Sequence, residues 1–571
     1  MHRMRGFMLL AMASLALAAC GSRRGSEPLD WVPAQTPFLA ANLQPLDADS
    51  EQALLEPVNR QLPGYAAQLD DLAAVLADKP KLAALARALS DEIHHVGSVQ
   101  QLAKDAGINP RGLFAVYAVG LSPVVRAQLG DKARFDAFVQ RLQQAAGAPL
   151  VQAKLGDKAY RHMDFGPLQL ALAVQHDQAV LALLPSAGDA SLLRGALGFD
   201  RPEHSVAEAG TLADLAKADD YLPGIIAYLD TTRLPALLTE NQPVMKAATN
   251  GARLRLLPSN CRADLDRIAA RVPMLSVGLT AIDDQHVAAR TDLRLAPDIV
   301  EAIAQASAPV AGLGGSASAP LDLAVALPLQ AIAQFLHTQA AAVAAKPFSC
   351  MELAVINGGF ARLRSLPASL PPWTDLLGLR IALDAVDIGG KHPLTIRGRL
   401  LLASSNPEAL LATLAQWLPP LAGVQPKADG TPVALPATAA SSAGMFPPTA
   451  LALNEHALGL AIGGGEADAL AALLENPGNA PGSLARVRID GSFYVDLMQR
   501  VLQQQARRQQ AAAKTLAQSG DPKVQALARL QRDRQSAMAA QIAQFHDLKS
   551  LSAELRVGEH GLVYSSEFRR K

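Results

Sequence analysis

The chain repeats itself, and that constrains its fold more than any single motif. Pro37–Leu43 (Pro-Phe-Leu-Ala-Ala-Asn-Leu) resembles Leu321–Leu327 (Leu-Asp-Leu-Ala-Val-Ala-Leu). Leu113–Phe138, a paired-strand pattern followed by a helix, has a counterpart in Leu379–Leu414. Leu172–Gln175 with Ala179–Leu183 matches Leu451–Asn454 with Ala457–Ile462, and Leu275–Leu279 matches Leu551–Leu555. The order is preserved and the four offsets lie between about 266 and 284 residues. Two copies of one ancestral unit account for an ordered set of matches; chance likeness among Ala/Leu-rich strands is the alternative.

The patterning within each copy sets the fold class. Leu551, Ala553, Leu555 and Val557 alternate with Ser552, Glu554 and Arg556, and Leu562, Tyr564 and Phe568 alternate with Val563, Ser565, Glu567 and Arg569. Val277, Leu279, Arg290, Asp292 and Arg294 carry the same period of two. A strand with one apolar and one polar face belongs to an antiparallel sheet covered on one side. The helices cap well. Asp131 and Asn406 stand where N-caps are expected, and Pro407 occupies the first helical position, where its missing N–H costs nothing. The expectation is α+β: two duplicated halves, each a hairpin-built antiparallel sheet with helices packed on one face and the other face wet.

Domain boundaries follow. Residues 37–308 form the first repeat and 319–571 the second, joined by a small-residue linker over 309–318. Gly423–Pro448, rich in Pro, Ala and Ser, reads as a long surface loop. The second repeat carries an addition over 494–545, two helices broken at Ser519-Gly520-Asp521-Pro522. Their Gln/Arg-rich surface suits an anionic surface or a protein partner, although a solvated helix face is the commoner meaning of such a run.

Composition excludes some functions. In 571 residues, Lys plus Arg and Asp plus Glu are 52 each, so there is no bulk charge to draw nucleic acid. Aromatic residues make up 4%, which weighs against stacking platforms for bases or sugars. Beyond the N-terminal segment no run of 18 apolar residues escapes a charge or a turn.

The N-terminus has an address. Arg3 and Arg5 precede an apolar run from Phe7 to Leu17, and Ala18-Ala19 lead into Cys20. Basic flank, short apolar core and small residues are the order of a signal peptide, here residues 1–19. Leu17-Ala18-Ala19-Cys20 resembles the lipobox of bacterial lipoproteins. That resemblance implies a thioether-linked diacylglycerol and an acylated amino group on Cys20, with residues 20–36 as anchor and tether. Several acyl chains hold a protein stably on a bilayer. Gly21 and Ser22 lack the aspartate associated with inner-membrane retention, which favours the periplasmic face of the outer membrane.

Cys261 and Cys350 then remain, an even pair in an oxidising compartment. They are candidates for a disulfide, with free buried thiols the alternative.

No catalytic signature appears. His94 and His95 follow Asp91 and Glu92, but neighbours on a helix point about 100° apart and do not share a metal ion unaided. Gly463-Gly464-Gly465 lacks the Gly-Lys-Ser/Thr ending of a phosphate loop and reads as a turn. No Ser, His and acid fall into a hydrolase order. The expectation is therefore no enzyme, no metal and no cofactor. Trp31-Val32-Pro33-Ala34-Gln35-Thr36-Pro37-Phe38 resembles the opening of uncharacterised proteobacterial envelope lipoproteins, whose lack of an assigned activity implies no site residues. A non-enzymatic binding or structural role in the envelope is expected, through a protein partner; a carrier of a lipid or other hydrophobic ligand is the second reading and a hydrolase the third.

Overall fold

The computed structural model describes residues 27–571 except 78–79, 148, 187–188, 240–256, 366–374, 389–393, 418–420, 436–447, 517–541 and 543. The signal segment and Cys20 lie outside the described residues, as do most of the expected second helix of the 494–545 hairpin and the latter part of the Gly423–Pro448 loop. The described chain is mixed helix and strand, with its strands in antiparallel sheet.

Contacts divide it into two compact units. One comprises the chain up to Glu51 with Val58–Arg262 and Ser276–Leu279; the other comprises Gln52–Pro57, Ala263–Leu275 and Thr280–Lys571. The second unit takes up the chain without interruption from Thr280.

In the first unit, β1 (Phe38–Asn42) is followed along the chain by α1 (Ala48–Val75), α2 (Pro80–His94) and α3 (Val99–Asp105). Then come β2 (Phe114–Val119), β3 (Ser122–Gln128), α4 (Lys132–Ala146), β4 (Val151–Leu155), β5 (Lys158–Phe165), β6 (Leu168–Gln175) and β7 (Gln178–Pro185). The remainder is α5 (Ala190–Leu197), α6 (Val206–Ala209), α7 (Thr211–Ala218), β8 (Ile225–Asp230) and α8 (Leu234–Thr239); α9 (Arg262–Ala269) follows along the chain and falls, but for its first residue, in the second unit. Pairing runs β8-β1-β2-β3-β7-β6-β5-β4, antiparallel throughout. The Asp131 side chain caps α4 by accepting from Arg134 N at 3.0 Å. The β6–β7 turn places His176 and Asp177 at φ 50° and 58°. Two successive positive values give the turn whose twist matches that of the strands it joins. Trp31 stacks on His176, ring centroids 4.7 Å apart.

The second unit contains β10 (His286–Arg294), hairpin partner of β9 (Met274–Ile282), then α10 (Pro297–Ala306), β11 (Leu321–Ala326), α11 (Leu329–Ala345) and α12 (Ala354–Ser365). Next are β12 (Leu376–Ile388), β13 (Leu394–Ser404), α13 (Pro407–Trp417), β14 (Val433–Ala434), β15 (Pro448–Leu453), β16 (Ala457–Ile462) and α14 (Ala467–Leu474). It ends in β17 (Ser483–Asp490), α15 (Gly491–Leu516), β18 (Leu548–Gly558) and β19 (Gly561–Arg570). Pairing runs β10-β19-β18-β17-β11-β12-β13-β16-β15-β14, again antiparallel.

Across β13 and β16, helices cover both faces rather than one. Leu410 and Leu411 of α13 pack with Leu400, Leu402, Leu458 and Leu460. The alternate residues Leu401 and Ala403 pack instead with Leu470, Leu473 and Leu474 of α14. Successive strand residues point to opposite faces, so α13 and α14 lie on opposite sides. The cause is in β16: Ala-Leu-Gly-Leu-Ala-Ile is apolar in both phases and needs a cover on each. In the first unit Phe135 and Val139 of α4 pack on Leu172 and Val174. Arg126, Val180 and Ala173, in register on the other face, meet the end of α5.

The segment expected as a linker is packed. Val310 and Leu313 are buried, and the Gly312 and Gly314 amides donate to Asn476 O (3.0 Å) and Pro477 O (2.8 Å). A Cβ at Gly314 would stand 2.1 Å from Gly478 O, so the small residues there serve close backbone approach.

Candidate functional site

A groove of about 570 Å³ opens in the second unit, over β17, β18, β19 and β10. Its floor is the polar face of the sheet. Cross-strand register sets Arg486 opposite Glu554 and Glu554 opposite Ser565; the next row runs Arg488, Ser552, Glu567. The Gly314–Ala317 and Gly478–Ala480 segments form walls. Arg486 fixes the first wall by donating to the carbonyls of Gly315 and, at 2.9 Å, Gly314. Burial and then the nearby Arg380 guanidinium lower its pKa.

The acids differ in how far they are occupied. Glu567 accepts from Arg569 Nε and Nη2 at 3.0 and 2.7 Å and from Ser552 Oγ at 3.2 Å, and lies 2.6 Å from His286 Nε2. Those bonds, the Arg569 ones foremost, hold its carboxyl below the ordinary range. Glu554 accepts one bond, from Ser483 Oγ at 2.7 Å. Arg488, 43% exposed, pairs with Asp490 at 3.0 Å.

Buried charges adjoin the groove, and Asp322, opposite Arg488 in register, also lines it. Arg380 and Asp322 are 0% and 2% exposed and paired at 2.8 Å; Arg380 Nη1 also donates to Gly312 O and Gly314 O. Burial alone would raise the Asp322 pKa, but bonds from Arg380 and Ser318 outweigh it and the value is lowered. Further along the same unit, Arg399 contacts Asp384 at 2.9 Å and Glu466 at 3.2 Å. Burial, and then the charge of Asp384, raise the Glu466 pKa.

The first unit holds its own buried arginine. Arg126 is 0% exposed and donates to Gln178 Oε1 at 3.1 Å, with its Cζ 5.3 Å from the Trp31 ring centroid. No carboxylate among the described residues pairs with it. Burial raises the Tyr117 phenol's pKa, and the adjacent Arg126 partly offsets that.

The residues singled out in the sequence fall elsewhere. Cys261 and Cys350 are each fully buried and disulfide-bonded, so neither offers a thiolate to a metal. His94 Nδ1 bonds Ser90 O at 2.9 Å and His95 Nδ1 bonds Asp91 O, both on the histidines' own helix. Gly463 and Gly465, at φ 88° and 84°, make the turn from β16 into α14. Ser552, Glu554, Ser565 and Glu567 were legible as the polar phase of the last hairpin; Arg486 and Arg488 were not singled out, because strand register alone brings them beside that hairpin. No histidine or cysteine lines the groove among the described residues, and two of its serines, Ser483 and Ser552, donate to carboxylates. What it presents is a two-signed array of hydrogen-bonding groups, chemistry suited to holding a polar ligand.

No family model, curated protein or solved structure matches this chain.

Proposed function

We propose that the chain is a lipid-anchored envelope protein, acylated on Cys20 at the periplasmic face of the outer membrane, which binds a partner without catalysing a reaction. One observation carries the binding reading: a concave site of ligand-pocket size, lined by arginines, glutamates and serines and built on rigid strands. The lipobox-like Leu17–Cys20 supports the anchor. A photo-crosslinking residue at Ser565, in the groove, should give light-dependent adducts in living cells, and one at Glu559, in the exposed β18–β19 turn, should not. Equal labelling at both positions would count against the groove. Cys20→Ala should move the protein from the membrane to the soluble fraction.

The carrier reading needs an apolar cavity, which this charged groove does not supply. Lipid extraction of natively purified protein, read by mass spectrometry, is its test.

We further infer that the two units descend from one duplicated unit. In support, β1 is flanked by β2 and β8 as β11 is by β12 and β17. β3 pairs β7 as β13 pairs β16. Each unit has one buried row across its sheet: Leu39, Tyr117, Val124, Ala182, Ala171 in the first and Ala324, Arg380, Leu401, Gly459, Ala452 in the second. An experimental structure in which those rows fail to superpose would refute the duplication.

A further inference from the structure

Building on the reading of the groove as a binding site, we propose that its occupant is a zwitterion of the amino-acid or short-peptide class, with its carboxylate on Arg488 and its ammonium on Glu554. The existing bonds single out these two groups. Arg486 is spent on the Gly314 and Gly315 carbonyls, and Glu567 on Arg569, His286 and Ser552. Arg488 keeps donors beyond its bond to Asp490, and Glu554 keeps the oxygen that Ser483 does not use.

Their spacing fits such a ligand. Arg488 faces Ser552 and Arg486 faces Glu554, so Arg488 and Glu554 are diagonal neighbours on one sheet face. Diagonal positions lie about 7–8 Å apart. Direct pairing is not made: the ion pair of Arg488 is with Asp490. A ligand with an ammonium at one end and a carboxylate at the other can bond both groups at once, each through a hydrogen bond of about 2.8 Å. A simple anion would meet Glu554 and a simple cation would meet Arg488, so the array selects a ligand carrying both signs. Ser565, opposite Glu554 on the neighbouring strand, matches a peptide N–H or C=O group. A volume of about 570 Å³ exceeds one amino acid and admits a di- or tripeptide.

Calorimetric titration of the full chain in detergent with dialanine tests this, against N-acetyl-dialanine amide, which has the same backbone without charges. Dialanine should bind, the capped form at least tenfold more weakly. Arg488→Gln and Glu554→Gln should each weaken dialanine binding at least tenfold with circular dichroism unchanged. Equal affinity for the capped form, or no dialanine binding at millimolar concentration, overturns the proposal. Crosslinking at Ser565 without dialanine binding would reject the zwitterion alone and leave the groove as a site; failure of both would reject the groove as well.

Discussion

Arg380 and Asp322 meet as two parallel bonds, Nε to Oδ1 at 3.1 Å and Nη2 to Oδ2 at 2.8 Å, with both side chains essentially out of water. The remaining guanidinium N–H groups reach the carbonyls of Gly312, Gly314 and Ser316. One arginine thereby ties strands β11 and β12 to the segment that walls the groove.

Breaking that pair should be costly. Asp322→Asn leaves a buried guanidinium without its counter-charge, an effect of about 3–5 kcal/mol. Arg380→Met combined with Asp322→Leu should be much milder. Denaturant titration of both variants checks the order. The pH dependence follows from the lowered Asp322 pKa: its contribution is present above the unfolded carboxylate value and is lost as pH falls through the lower folded one. Asp322→Asn should lose that part of the acid sensitivity.

Glu466 should behave in the opposite sense. Its carboxyl is raised by burial and by Asp384, so the folded state holds its proton more tightly than the unfolded state. Stability then falls as pH rises from the unfolded value through the folded one. Glu466→Gln should flatten stability across that window, read from melting temperature against pH. An unchanged slope would show that Arg399 neutralises Glu466 fully.

Gly198 should tolerate no side chain. It ends α5 at φ 70°, and a Cβ there would stand 2.0 Å from an Arg126 guanidinium nitrogen. Gly198→Ala should destabilise by at least the ~1–3 kcal/mol of a strained left-handed residue. Adding Arg126→Met should restore the part due to the clash, and thermal melts of single and double variants separate the two.

The cysteines give a covalent prediction. Peptide mapping without reductant should recover a linked Cys261–Cys350 peptide. A bridge closing about 90 residues contributes on the order of 4–5 kcal/mol in the chain-entropy model, so reduction should lower the melting temperature. Recovering both as free thiols would rule the bridge out.

How far the sequence went depends on the range of the interaction. Hairpins were legible from alternation, as at Leu551–Val557 and Leu562–Phe568, and the caps at Asp131 and Asn406 from residue type; Asn406 Oδ1 accepts Ala409 N at 3.1 Å. These signals sit within a few residues of one another. Arg126 and Arg380 were not legible as buried, since what accommodates them comes from Trp31, Gln178 and Gly198 or from Asp322 and the 312–316 carbonyls. Gly312 to Ser316 suggested looseness because a backbone that must pass close to its neighbours uses the same small residues as one that must bend. The groove was hidden for a further reason: one residue of strand slip would turn Arg488 and Glu554 to the opposite face.

Strand β10, residues 286–294, finds its antiparallel partner in β19, residues 561–570. Wherever the chain emerges in order from its N-terminus, β10 arrives more than 260 residues ahead of β19. During that interval β10 presents an unpaired edge, and the sheet under the groove has no closing strand. Order of emergence thus gives the second unit a vulnerable youth: it completes its sheet only when its final strand arrives, and until then an open edge is a template for pairing with the wrong chain.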